Sequence, residues 1–258
     1  MHLSKSQINL YRRCPFAYQC SYVDGIKNPP SSVMFVGSCF DKALNFNYEH
    51  KIIKGKDEKV SAVKDFFNDS FKEGKEQVDF KAEDKPEDIK DNGILTTAVF
   101  HKEVCKTVQP EAVQVMDDLV FDNVDYTLRV IVDLIEKDGT VVDNKFTRKT
   151  WQAGKEVGEL DPVIYSLWYG HKKKVKNTRF RFDIGVGLKT PKTDRRMVIV
   201  TEEQKEGFLK YLAVINDCIM KDRERGLFAP NTSNFLCTKR HCGYWQICER
   251  TWNHKIKD

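Results

Sequence analysis

Tyr126-Thr-Leu-Arg-Val-Ile-Val-Asp133-Leu-Ile-Glu136, then Lys137-Asp138-Gly139, then Thr140-Val-Val-Asp143-Asn144-Lys145-Phe-Thr147 is the stretch that decides the fold. Both arms are rich in β-branched residues, and Asp-Gly between two such runs is a strong signal for an antiparallel hairpin. Closing that hairpin brings Asp133 and Asp143 within reach of one hard cation. Residues two apart on a strand share a face, so Lys145 stands beside Asp143. Acids on a hairpin are ordinary when they face solvent. Here Asp133 sits inside Val130-Ile-Val132 and Leu134-Ile135, and Asp143 follows Val141-Val142, where burial of a lone carboxylate is costly. Two carboxylates and an ammonium in that setting are the groups a metal-dependent phosphodiesterase needs.

The cysteines carry the second signal. Of eight, Cys237, Cys242 and Cys248 form a Cys-x4-Cys-x5-Cys run near the end of the chain. Three thiolates leave a tetrahedral site one ligand short, and Cys14, beside Pro15 in a short helix-to-turn segment, is the best candidate for the fourth. Four thiolates suit a structural zinc or an iron–sulfur cluster. Cysteines 20, 39, 105 and 218 are scattered and read as small buried side chains. His241, adjacent to Cys242, reads as a neighbour of the run, with a substitute ligand as the alternative. The opening Met1-His-Leu-Ser-Lys is not an apolar leader and no run reaches membrane-spanning length, so a reducing cytoplasm and no membrane partner are expected.

With 258 residues, 40% apolar content and 16 phenylalanines, the chain can bury a substantial core, and residues 1–258 are expected to form one domain. Segment 51–92 is dominated by Lys, Glu and Asp with spaced Val60, Val63, Phe66, Phe67 and Phe71, and reads as an inserted amphipathic helix followed by a solvated linker. Residues 93–118 carry helical periodicity. Beyond the hairpin, 158–170 read as a helix presenting Tyr165, 178–188 with 196–201 as a strand pair, and 202–224 as a helix with Glu202 and Glu203 in its first turn. Helices flanking a small mixed sheet give an α/β architecture.

The net charge is only +5, but residues 171–181 contain no acid and supply Lys172, Lys173, Lys174, Lys176, Arg179 and Arg181, with Lys189, Lys192, Arg195 and Arg196 around the next turn. Such a cluster suits a phosphate backbone, and equally suits a solvated edge strand. Trp151 and Tyr244-Trp245 are candidates for stacking on bases, with Trp245 also placed to pack on the cysteine region.

Leu3-Ser4-Lys-Ser6-Gln-Ile-Asn-Leu-Tyr11-Arg-Arg-Cys14-Pro15-Phe16-Ala-Tyr18 resembles the N-terminal motif of RecB-type and Cas4-like nucleases of the PD-(D/E)XK superfamily. In those proteins it is followed by a Gly-centred helix, a core aspartate, an Asp-x-Lys strand, a Gln-and-Tyr helix and three C-terminal cysteines. Counterparts occur here in the same order over nearly the whole chain. The resemblance implies a restriction-endonuclease-like core, a central mixed β-sheet flanked by helices. A cysteine-ligated region would join the termini, with 226–258 packed against the segment around residue 14.

Carried over residue by residue, the resemblance makes Asp133 and Asp143 the metal-binding acids, Lys145 the catalytic lysine and Tyr165 the helix tyrosine. Asp161 stands where the family has glutamine. Asp41, in Val36-Gly37-Ser-Cys-Phe-Asp41, stands where it has histidine. Asp41, Asp133, Asp143 and the backbone carbonyl of Asn144 would then hold Mg²⁺ or Mn²⁺. Lys145 would position water or stabilise charge on phosphorus, and Tyr165 would orient Lys145 or substrate. Cys14, Cys237, Cys242 and Cys248 would bind a [4Fe-4S] cluster, with structural Zn²⁺ as the alternative. The implied substrate is DNA, single-stranded or with a free end, cut by an exonuclease of recombination, repair or phage DNA processing with a helicase or recombinase partner. The cell would be bacterial, or a virus's host. Asp41 and Asp161 favour the alternative, a non-catalytic or partner-activated DNA-binding subunit.

Overall fold

The structure is a computed structural model that describes residues 2–121 and 126–258. In chain order the elements are β1 (His2–Ser4), α1 (Lys5–Arg13), α2 (Pro15–Tyr18), α3 (Ser32–Lys54), α4 (Val60–Gly74), α5 (Pro86–Glu103), β2 (Pro110–Val120), β3 (Thr127–Glu136) and β4 (Val141–Thr147). They continue with α6 (Asp161–Lys173), β5 (Arg179–Val186), β6 (Lys192–Ile199), α7 (Glu202–Arg225) and α8 (Trp245–Trp252). The chain divides into two compact units, one of residues 29–117 and 130–205, the other of 1–28, 118–129 and 206–258. None of the described helices is long and apolar enough to cross a membrane.

The larger unit is built on a mixed sheet with strand order β3-β4-β5-β6, and β2 also pairs with β3. The hairpin forms as its sequence predicts: β3 and β4 run antiparallel with Leu134 opposite Val142, and Gly139 adopts the left-handed φ of +80° that the tight turn needs. β4 and β5 run parallel, Asp143 beside Phe182, with α6 as the crossover that parallel strands require. β5 and β6 then pair antiparallel.

Helices α3, α4 and α5 cover one face. Ser31 caps α3 by accepting from the Met34 amide, and Gly55 ends it in the left-handed conformation. Their core holds Phe40, Phe67, Phe71 and Phe100, all fully buried, with Phe40 and Phe100 edge to face at 5.0 Å. Burial of each ring is worth about 1.5–3 kcal/mol. Val63, Phe67 and Phe71 of the 51–92 segment lie in this core, making α4 one of the unit's layers. Several boundaries differ from the sequence reading. Helix α5 begins at Pro86, so the end of the 51–92 segment is helical where a solvated linker was expected. The helical periodicity of 93–118 ends at Glu103, and 110–120 is strand β2, because Val113 to Val120 alternates faces at the period of two that an extended chain imposes. β6 also starts at Lys192, so Lys192, Arg195 and Arg196 lie on a strand beyond the turn.

In the smaller unit, β1 pairs in parallel with Thr127–Arg129. Ser4 caps α1, Pro15 opens α2, and the Tyr11 hydroxyl donates to Asp222 Oδ2 at 2.6 Å. A second cluster contains Phe16, Ala17, Cys20, Tyr244, Cys248 and Ile256, with Cys14, Cys237, Cys242, Trp245 and Trp252 packed against it.

Candidate active site

The hairpin sets the first acids. Register places Asp133 across from Asp143, and the Asn144 amide donates to Asp133 Oδ2 at 3.0 Å. Asp143 is 2% exposed. Lys145, two residues on and on the same face, brings Nζ within 2.5 Å of Asp143 Oδ2 and 3.4 Å of Asp161 Oδ1. Asp161, fully buried, opens α6 just before Pro162, where a carboxylate meets the positive end of the helix dipole. The residue standing in for glutamine is therefore a second carboxylate on Lys145. Burial pulls the Lys145 pKa down, but Asp143, Asp161 and Asp133 together hold it above the ordinary lysine value.

Asp41 reaches the same place from α3. Asn45 Nδ2 and Gln114 Nε2 each donate to its Oδ2 at 3.2 Å. Burial raises its pKa to about 6; the Asn45 hydrogen bond and Lys145 oppose the rise and Asp143 adds to it, so Asp41, Asp143 and Lys145 share one field. Asp41 Oδ1 is buried with no hydrogen-bond partner among the described residues. Among the described residues no three His, Cys, Asp or Glu side chains stand close enough to form a ready-made cation cage. The donor set nonetheless fits a hard divalent cation: the groups are carboxylate oxygens, one of them an unused buried oxygen. Asn144 lies on the opposite face of β4 from Asp143, so its backbone alone is on the strand edge beside the acids.

Tyr165 takes a different place from the one expected. Its hydroxyl donates to the Ile131 carbonyl at 2.6 Å and not to Lys145. Burial, then Asp143 and the other acids, push its pKa well above the phenol range, which keeps the proton on and the ring as a brace between α6 and β3. Lys145 instead lies over the Phe182 ring, against which Trp151 packs edge-on at 5.0 Å. Trp151 is 8% exposed, which removes it from the base-stacking candidates. Arg196 fixes that loop through the Trp151 and Gln152 carbonyls and the Glu156 carboxylate, so it too is occupied internally.

The basic run divides. Arg181 is turned inward: it pairs with the fully buried Asp183 at 2.8 Å and with Glu136 at 3.0 Å, and is not a surface phosphate contact. Arg179 pairs with Asp138 and Lys172 with Asp117, while Lys173 lies 3.8 Å from Glu111. Lys172, Lys173, Lys174, Lys176 and Arg179 remain exposed.

In the smaller unit Cys14, Cys237, Cys242 and Cys248 border one cluster, and the amide of Asn231 donates to Cys14 Sγ at 3.4 Å. Burial and then Cys14, Cys242, Cys237 and Cys20 push the Cys248 thiol up to about 12. Cys20, which the sequence reading set among the scattered cysteines, lies within the same field, its thiol raised to about 11 by burial, Asp24, Cys242 and Cys14. His241 bonds Thr238 at 2.8 Å, and His254 Nε2 lies 3.8 Å from Cys248 Sγ, a neighbour that nothing in the spacing announced. The four thiols suit a thiophilic centre by donor chemistry, although no trio is at ligating spacing among the described residues.

Residues 2–249 match the family model of the PD-(D/E)XK nuclease superfamily. No curated protein matches the chain. Among solved structures, the crystal structure of a "putative exonuclease" from Eubacterium rectale is similar at a TM-score of 0.59 and 15% identity, covering 100% of this chain and 90% of that one. At that identity the likeness shows the fold alone.

Proposed function

The chain belongs to the PD-(D/E)XK nuclease superfamily, and on that footing we propose that it is a Mg²⁺- or Mn²⁺-dependent deoxyribonuclease acting on single strands or DNA ends. The observation that carries this reading is the meeting of Asp41, Asp143 and Asp161 from three separate elements around the Lys145 ammonium. A divalent cation held by Asp133 and Asp143, with Asp41 beside them, would supply Lewis-acid polarisation of the phosphoryl oxygen and activation of the attacking water. Lys145, set among these acids, is suited to stabilising negative charge that develops on the phosphoryl oxygens. Asp161 aims that ammonium from the start of α6, and Phe182 backs it. Tyr165 positions β3, and so Asp133, through the Ile131 carbonyl. The exposed Lys174 and Lys176, with Lys172, Lys173 and Arg179, are proposed to hold the strand through its phosphates.

We further infer that Cys14, Cys237, Cys242 and Cys248 hold a [4Fe-4S] cluster, with Zn²⁺ as the alternative. Such a centre would tie residue 14 to the C-terminal segment and remove unfolded-state freedom from nearly the whole chain. Iron, sulfide and zinc content of anaerobically purified protein distinguishes the two. Exonuclease action in repair, recombination or phage DNA processing, with a helicase or recombinase partner, belongs to the same proposal. End-labelled linear DNA and closed circular DNA, single- and double-stranded, test it with Mg²⁺ or Mn²⁺. Cleavage of linear substrates alone supports the exonuclease reading, and cleavage of closed circles refutes it. Binding without cleavage by folded, metallated protein would favour the non-catalytic subunit.

A further inference from the structure

Gln114 is one of three non-glycine residues among those described with a left-handed backbone, at φ +49°. Such a conformation is unfavourable for a side chain with a Cβ and lacks the local hydrogen bonding that lets Asn or Asp adopt it cheaply. It persists where the surroundings gain something from it. Gln114 sits within strand β2, exposed, and the irregular backbone delivers its amide to Asp41 Oδ2 at 3.2 Å across 73 positions of sequence. Asn45, one helical turn from Asp41 on α3, donates to that same oxygen. Both donors therefore fall on Oδ2, and Oδ1 is left buried with no hydrogen-bond partner among the described residues.

We propose that Gln114 is a positioning residue of the acidic site, holding Asp41 by Oδ2 so that Oδ1 is the oxygen presented to a divalent cation. The inference rests on the reading of these acids as a cation site. Outer groups that fix a ligating carboxylate are typically worth 10–100-fold in metal affinity.

Two variants separate positioning from a structural role. Gln114→Met keeps side-chain length and backbone strain but removes the donor. Gln114→Gly removes the donor and relieves the strain, since glycine adopts positive φ without penalty. Mn²⁺ affinity is measured by calorimetry on the full chain, with melting temperature alongside. The expected result is an affinity loss of about tenfold or more in both variants, with Gln114→Gly melting at or above the native temperature. Native-like affinity in both variants, with the native protein binding Mn²⁺, overturns this inference and leaves the nuclease reading standing. Native protein that binds no Mn²⁺ overturns both.

Discussion

Asp183→Asn is a severe test of how the sheet under the site is held. Asp183 is fully buried on β5 and accepts from Arg181 at 2.8 and 2.9 Å and from Arg195 at 3.0 and 3.2 Å. Arg181 also donates to Glu136 on β3 at 3.0 Å, so one carboxylate organises β3, β5 and β6 around β4. Asparagine preserves shape but removes the charge, leaving Arg181 with Glu136 as its counter-ion and Arg195 with the Val104 carbonyl. Removing one partner of a buried ion pair costs about 3–5 kcal/mol. Arg195 is 34% exposed and water will screen it, so the lower end, about 3 kcal/mol, applies. For a domain of this size that is a fall of roughly 6–12 °C in melting temperature. Thermal and urea melts followed by circular dichroism measure it. Lys221→Ala serves as control: its 2.7 Å pair with Asp217 is more than half exposed on both sides, and its loss should change stability by less than about 0.5 kcal/mol. A loss below about 1 kcal/mol for Asp183→Asn would show that this network does not hold the strands.

Gly93→Ala on α5 would put a Cβ 2.4 Å from the Phe67 ring, and overpacking of about 1–3 kcal/mol should outweigh the roughly 1 kcal/mol gain in helix propensity; a melting temperature at or above native would contradict that. Burial holds the His101 pKa below its ordinary value of about 6.5, against the opposing pull of Asp57. The unfolded chain therefore binds this proton more readily, so its contribution to stability is complete above that value and is lost as pH falls through it. Replacement by Gln should flatten the drop in stability between pH 7 and 5, and an unchanged slope would refute the assignment. Asp161→Ala should lower the cleavage rate about tenfold to a hundredfold by freeing Lys145, while Asp161→Gln should retain more activity; equal rates for both would remove Asp161 from the positioning role.

Local signals were the legible ones. The hairpin declared itself through β-branched arms and Asp-Gly, and α7 through Glu202 and Glu203 in its first turn; the helix read over 158–170 starts at Asp161, and the reciprocal cap of Thr201 and Gln204 on α7 appears only in the structure. The helical reading of 93–118 overran into β2 because Val108, Ala112 and Val115 recur at the i, i+4, i+7 spacing of a helical stripe, and the alternation from Val113 onward is decided only by strand pairing. Arg181 was hidden by its basic neighbours. Only strand alternation sets Arg181 and Asp183 on one face, and that signal is lost inside a charge run. Gln114 carried no signal at all, since its meeting with Asp41 depends on a backbone irregularity and on two elements distant in sequence. Cys20 gave none either, lacking the spacing that singled out Cys237, Cys242 and Cys248.

The central claim is that the acids around Lys145 hydrolyse DNA phosphodiesters. Its most direct test is single-turnover cleavage of end-labelled linear DNA by native protein and by Asp143→Asn, with matched melting temperatures and matched occupancy of the cysteine centre. The account predicts Mg²⁺- or Mn²⁺-dependent cleavage by the native protein and none above background by the variant, with DNA binding retained. Equal cleavage by both, or DNA binding without cleavage by either, would contradict it.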